Sequence, residues 1–193
     1  MDYFFNKQTL SWVFLFVLTA ATGQKKYDQK VQPSTLTLEG ISINGHKTNF
    51  DFDREYVRKG WWAYARKFGS PLNMKDYYKV TIPASQSDGN VDMTIYTQTV
   101  KDANGVSFFL GVADKALSKQ ATELLLDFKK HFYIHHYLDE MEQLTDEANA
   151  LSKDYRKAIL DTKKRRLLDQ LSQIKYEIEG LIDEVRKVEK NNF

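Results

Sequence analysis

Residues 105–130 read GVSFFLGVADKALSKQATELLLDFKK, and within them the chain changes its rule. Val106, Phe108 and Leu110 alternate with a period of two, which predicts a strand. From about Asp114, a candidate helix cap, the apolar residues fall instead at Leu117, Ala121, Leu124 and Phe128, a 3–4 rhythm that predicts a helix. All three prolines and eight of the nine glycines lie at or before Gly111, and after it Gly180 alone interrupts. Gly and Pro are the strongest breakers of regular structure, so a turn-rich region gives way here to long helix.

Upstream, the residues predict a small α/β head over 35–112. Tyr78, Val80 and Ile82 alternate, as do Met93, Ile95 and Thr97. The linkers Ser87–Asn90 and Asp102–Gly105 carry residues that tolerate positive φ, so with the strand at 106–110 they predict an antiparallel meander. Leu36, Leu38, Ile41 and Ile43 suggest a strand with a slip at Gly40, ending in the hairpin signal Asn44–Gly45. Asp53 is placed to cap a helix running to about Phe68, closed by Gly69 and Pro71. Val57, Trp61, Tyr64, Ala65 and Phe68 give that helix one apolar stripe, with Arg54, Arg58 and Arg66 toward water. Residues 24–34 are polar and aperiodic and read as a flexible leader.

Downstream, residues 113–190 predict helix. Met141, Leu144, Ala148, Leu151, Tyr155 and Ala158 form one stripe; Leu171, Ile174, Ile178, Leu181, Val185 and Val188 form another. The phase slips between Ala158 and Leu171, which marks either a local rewinding of a coiled coil or a hinge and fold-back. One continuous helix would be about 110 Å long. Its stripe therefore needs a mate, in another chain or in a returning segment of this one. The fold class expected is α+β, a small antiparallel sheet with one packed helix followed by a long C-terminal α-helical coiled coil.

Residues 1–23 carry Lys7, the apolar run Trp12–Leu18 and the small residues Ala20, Ala21 and Gly23, the pattern of a secretory signal. The apolar run is shorter than the roughly 20 residues a bilayer span needs, and an uncleaved helix reaching back to Phe4 is the alternative. Cleavage near Gly23 would leave about 170 residues, enough for one domain with an appendage. The predicted destination is the periplasm or cell envelope. The chain holds no cysteine, so no disulfide supports it there. Its net charge of +2 is too mild to point to nucleic acid.

Candidate chemistry is sparse. His131 and His135, spaced i, i+4, with Asp139 beyond, are candidate Zn²⁺ ligands. The same residues continue the stripe Leu117, Ala121, Leu124, Phe128, which reads them instead as imidazoles in a helix seam beside Phe128, Phe132 and Leu138; that rhythm is the better account. On that reading, protonation near pH 6 would weaken self-association. His136 and Glu140 fall on an adjacent face. Asp88–Asp92 opens like a calcium loop, but Met93 and Thr99 stand where the motif needs Gly and Glu, which leaves a turn. Lys163–Arg166 either meets an anionic surface such as lipid head groups or is a solvated face paired with Asp161 and Asp169. In Gly60–Tyr64, GWWAY, Trp61 and Tyr64 suit a core and Trp62 is the candidate partner contact. No G-x-S-x-G, phosphate loop or cysteine nucleophile is present, so no catalytic residue and no cofactor is assigned.

The order of export signal, Asn44–Gly45, the helix VRKGWWAYARKFG (57–69), the meander ending GVSFFLGV (105–112) and a charged helical tail resembles a family of uncharacterised exported proteins of Bacteroidota-type bacteria. The resemblance implies the two-part layout and carries over no functional residue. The expected function is a non-enzymatic envelope binding or scaffold module. Its tail would pair with itself or with an intramolecular helical partner, and its head or open sheet face with another envelope component. A periplasmic holdase with helical arms is the alternative, and a metal-binding protein or an enzyme is the third class.

Overall fold

The computed structural model describes residues 26–38, 40–86, 91–103 and 105–190; the segment read as an export signal lies outside them. The fold is α+β. In chain order the elements are β1 (Gln32–Leu38), β2 (Ile41–Phe50), α1 (Arg54–Ala65), β3 (Ser70–Asn73), β4 (Tyr78–Ile82), β5 (Met93–Asp102), β6 (Gly105–Val112), α2 (Ser118–Lys157) and α3 (Asp161–Lys190). The strands form one sheet in the order β1-β2-β6-β5-β4-β3, and each neighbouring pair is antiparallel. The meander β4-β5-β6 is the one the alternation predicts.

The first hairpin turns elsewhere than expected. Leu38 pairs with Ile41, and Gly40 sits between them at φ 83°, the left-handed region that glycine enters without strain. Asn44 and Gly45 lie inside β2. Gly45 stands opposite Gly111, where a Cβ would come within 2.2 Å of the Leu110 carbonyl oxygen. That glycine is there for close strand approach and not for a turn. β1 also begins at Gln32, inside the stretch read as leader. Ahead of it, Tyr27 and Val31 pack against the core and the Lys30 carbonyl accepts a 2.7 Å hydrogen bond from Thr48.

Register assigns the two faces of the sheet. Phe50, Phe108, Leu110, Val112, Ile95, Thr97, Val80 and Ile82 point to one side and are all buried. Two helices cover that side, where the sequence led us to expect one. α1 contributes Val57, Trp61 and Ala65; α2 contributes Ala121, Leu125, Phe128, Phe132, Tyr133 and Tyr137. The aromatic density is high: Phe128 lies 5.0 Å from Trp61 and 5.1 Å from Phe108, centroid to centroid. Burying each such side chain stabilises the fold by about 2–3 kcal/mol before entropy is counted. His46 on β2 donates from Nδ1 to Thr122 Oγ1 at 2.8 Å, because that hydroxyl itself donates to the Ser118 carbonyl. This bond fixes the start of α2 over the sheet.

Helix boundaries follow the sequence with two corrections. Asp53 occupies the N-cap of α1, but its side chain makes no capping bond and its carbonyl accepts the Val57 amide. Asp114 does cap, accepting the Ala116 amide at 2.9 Å, yet the element it caps is a short 3₁₀ turn over 115–117 that leads into α2.

The long helical region is two helices, not one. α2 ends at Lys157, residues 158–160 turn, and α3 runs back antiparallel along it. The break falls where the apolar phase slips, so fold-back is the alternative realised. Leu167, Ile174, Leu181 and Val188 are the buried residues of α3, seven apart throughout. Leu181 and Val188 reach the same core as the sheet, and Met141 and Leu144 of α2 pack against that core.

Candidate functional site

The sequence directs attention to His131, His135 and Asp139; the structure keeps the two histidines together and sets Asp139 apart. The buried face of α2 runs through Phe128, Phe132, Tyr133 and Tyr137, one step away from the stripe through Leu124 and the histidines. His131 leaves that face to lie against Tyr64, ring centroids 5.0 Å apart, and its Nε2 accepts a 2.8 Å hydrogen bond from Lys67 Nζ. His135 stacks edge-on to it at 4.2 Å and is exposed. Leu138, expected beside them in the seam, is 46 % exposed. Asp139 instead lines a notch of about 480 Å³ with His136, Glu140, Asp53 and Tyr56. Among the described residues no three His, Asp or Glu side chains gather as a metal cage requires.

The imidazole of His131 is held neutral. Burial, His135 and the Lys67 ammonium together push its pKa down to about 4. Protonation therefore belongs well below pH 6, and the contact it would loosen lies between α1 and α2 of the same chain. The unfolded imidazole titrates near 6.5, so the folded state loses stability as pH falls from about 6.5 toward 4. His131→Gln, which keeps an acceptor for Lys67 but cannot charge, is expected to flatten that part of the profile. Thermal midpoints at pH 7 and 4.5 in both proteins measure it; an equal fall in the two would overturn the assignment.

Trp62 is half-buried and leans on Tyr78 at 5.5 Å. Trp61 and Tyr64 belong to the core as expected. Of the calcium-like loop, residues 88–90 lie outside the described residues. Asp92 accepts the Ala84 amide at 2.8 Å, which is a turn contact.

Sequence reasoning missed Lys129. Its side chain is 1 % exposed, yet Nζ lies 2.6 Å from Asp28 Oδ1 and 2.9 Å from Thr48 Oγ1, with the Phe50 ring 5.7 Å away. Thr48 accepts from the ammonium and passes its own proton to the Lys30 carbonyl, so lysine, strand and leader form one chain of bonds. Burial, the largest effect, lowers the Lys129 pKa, and the Asp28 carboxylate opposes it. The one available signal was phase, since Lys129 falls four residues after Leu125 on the buried face.

Among the described residues no helix lies over the second face of the sheet. Its floor is Ile43 and Phe109, both buried, with the Phe109 ring laid over Gly111, where a Cβ would meet it at 2.6 Å. On the same face Ile41, Leu72 and Val100 are 61, 56 and 51 % exposed, and Met74, in the β3–β4 turn, is 37 % exposed. A cleft of about 610 Å³ opens between the tip of the β1–β2 hairpin, the end of β5 and the β3–β4 turn. Leu38, Met74 and Val100 supply its apolar wall; Arg54, Asp76 and Lys101 supply charges of both signs. Arg54, expected to face water, donates through Nε to the Thr99 carbonyl at 2.9 Å and so orients the cleft's far side. Lys75 in the β3–β4 turn adopts φ 71°, a left-handed conformation costing a lysine about 1 kcal/mol, and the bend presents Met74 and Tyr77 to the cleft. The lining holds one carboxylate and no histidine, serine or cysteine.

Comparison of the chain with protein-family models, with curated proteins and with solved structures finds no match.

Proposed function

We propose that the protein is a non-enzymatic exported envelope protein that binds an extended segment of a partner polypeptide on the open face of its sheet. The observation that carries this reading is the cleft in which Leu38, Met74 and Val100 form an apolar wall beside the edge strand β1. Scattered exposed apolar residues are ordinary, whereas several on one face around a cleft mark an interaction surface. The cleft's mixture of apolar wall, charges of both signs and the Gln98 amide matches a polypeptide better than a lipid or a polyanion. β1 ends the sheet on this side, and its residues Thr37 and Leu38 border the cleft. An extended segment could pair with that edge while setting alternate side chains against Leu38 and Val100. β3, at the other edge, is four residues long and carries Pro71, which blunts it against pairing.

The helical tail has its own reading. The seven-residue spacing of Leu167, Ile174, Leu181 and Val188 supports an antiparallel coiled coil closed within one chain, which takes the place of a self-associating stalk.

Peptide-library display against the full chain tests the binding reading. Enrichment of extended sequences with alternating apolar residues is expected, at micromolar affinity, and Val100→Glu or Leu72→Glu should lower it about tenfold or more without changing the melting temperature. Failure to enrich any peptide class, or enrichment untouched by both substitutions, would sink the proposal.

A further inference from the structure

Among the described residues, the turn between α2 and α3 holds the most exposed large apolar side chain. Ile159 is 92 % and Leu160 67 % exposed, directly at the helix break. The core-bound part of α2 ends near Leu144, so the turn stands roughly 20 Å beyond it along the hairpin. Cations surround this pair. Residues 156–166 hold Arg156, Lys157, Lys163, Lys164, Arg165 and Arg166 against one acid, Asp161, a net charge of +5. The whole chain carries +2, so the remainder is −3 and the molecule is electrically polarised toward this end.

These cations are also unlike the others on the helices. Lys175, Arg186 and Lys187 pair with Glu179, Asp183 and Glu184 one turn away. Among the described residues none of the six at the turn holds an ion pair, although Asp161 and Asp169 stand at the right spacing. The expectation of a solvated face laced with i, i+3 and i, i+4 pairs is therefore corrected. What remains is two aliphatic side chains at a tip, ringed by cations that hold no partner.

We infer that the α2–α3 turn docks on an anionic lipid bilayer, with Ile159 and Leu160 entering the head-group boundary and the flanking lysines and arginines lying against the phosphates. The charge selects this occupant. Clustered Lys and Arg are attracted additively to an anionic surface, and their long stems let the charge stay at the head-group level while the apolar tip goes deeper. A protein interface needs a broad, packed area, which two side chains on a narrow turn do not offer. Among the described residues no helix is long and apolar enough to cross a membrane. This inference is independent of the sheet-face reading and involves different residues.

The absence of cysteine makes the test direct, since Leu160→Cys gives the full chain its one thiol. Labelled there with an environment-sensitive nitrobenzoxadiazole dye, the protein is mixed with vesicles of phosphatidylglycerol or of phosphatidylcholine. The label reads the tip itself, whatever residues 1–23 do. A blue shift with phosphatidylglycerol is expected, weak or absent with phosphatidylcholine, and reversed by raised salt. Changing Lys163, Lys164, Arg165 and Arg166 all to Gln should weaken the partitioning by about 100-fold or more. A label at Tyr176→Cys, on the exposed shaft of α3, should stay in water, and inorganic phosphate should not shift the Leu160→Cys label. An unshifted tip label with phosphatidylglycerol, an equal shift with both lipids, or a shift produced by an unfolded polypeptide and not by vesicles would each overturn the inference. These positions are exposed apart from the half-buried Lys164, so circular dichroism is expected to be unchanged in every variant.

Discussion

Replacing Phe50 by alanine is expected to remove about 3–5 kcal/mol of stability, the range for deleting a buried phenyl ring. Phe50 is 1 % exposed at the end of β2 and touches four other rings: Phe108 at 5.9 Å, Phe128 at 5.5 Å, Phe132 at 5.2 Å and Tyr133 at 6.1 Å. One of these belongs to the sheet and three to α2, so the ring is the principal joint between the layers. It also underlies the Lys129 ammonium, and its loss would strip a favourable cation–π contact of about 1 kcal/mol as well. Domains are commonly stable by about 5–15 kcal/mol, so the variant would retain little margin. Urea unfolding followed by far-ultraviolet circular dichroism measures this directly. Tyr176→Ala, at a side chain 71 % exposed, should change stability by no more than about 0.5 kcal/mol. A loss below about 1 kcal/mol for Phe50→Ala would mean that the two layers do not share this joint.

The second large effect is expected at Asp28. Truncating it to alanine leaves the Lys129 ammonium buried with Thr48 as its remaining direct partner. Breaking a buried ion pair from one side costs about 3–5 kcal/mol when both groups are enclosed. Asp28 is half-exposed, so water replaces part of what is lost and about 2 kcal/mol is the better figure. Lys129→Met removes the charge along with the need for its partner and is expected to be near neutral, even in the Asp28→Ala background. The pH dependence has a definite sign. Burial lowers the Lys129 pKa, so the folded state prefers the neutral amine, and the penalty in Asp28→Ala is relieved as pH rises toward the unfolded value. Denaturant midpoints for the two single variants and the double variant test the cycle. An Asp28→Ala defect that persists in full when Lys129 is methionine would show that the leader is held by something other than this pair.

Much of the layout was legible because it rests on local periodicity. The alternation in β4, β5 and β6 and the 3–4 rhythm in the helices are set by which face meets the core, and both survive in the structure. The turn at 158–160 was legible too, as a slip of phase at Ala158–Leu171. What escaped was set by contacts distant in sequence. Asn44–Gly45 has the composition of a turn, and only the approach of β6 at Gly111 explains a glycine within a strand. Residues 26–31 show no strand or helix periodicity, so nothing local announced that Asp28 meets a lysine 101 residues away. At the histidines the error was one of phase. A stripe drawn through Leu124 continues to His131 and His135, whereas the buried face runs through Leu125 and Phe128 to Phe132. The cleft was invisible for a related reason, since Leu38, Met74 and Val100 come from three separate strands or turns.

The covering of the sheet by α2 has a consequence for the order of synthesis. A nascent chain that has made β1 through β6 but not α2 presents Phe50, Phe108, Leu110 and Val112 to water with α1 as their sole shelter. That intermediate carries an unsealed greasy slab beside an open strand edge, the combination most prone to clumping. Survival at that moment depends on speed of elongation or on an escort, and α2, once made, ends the exposure in a single docking step.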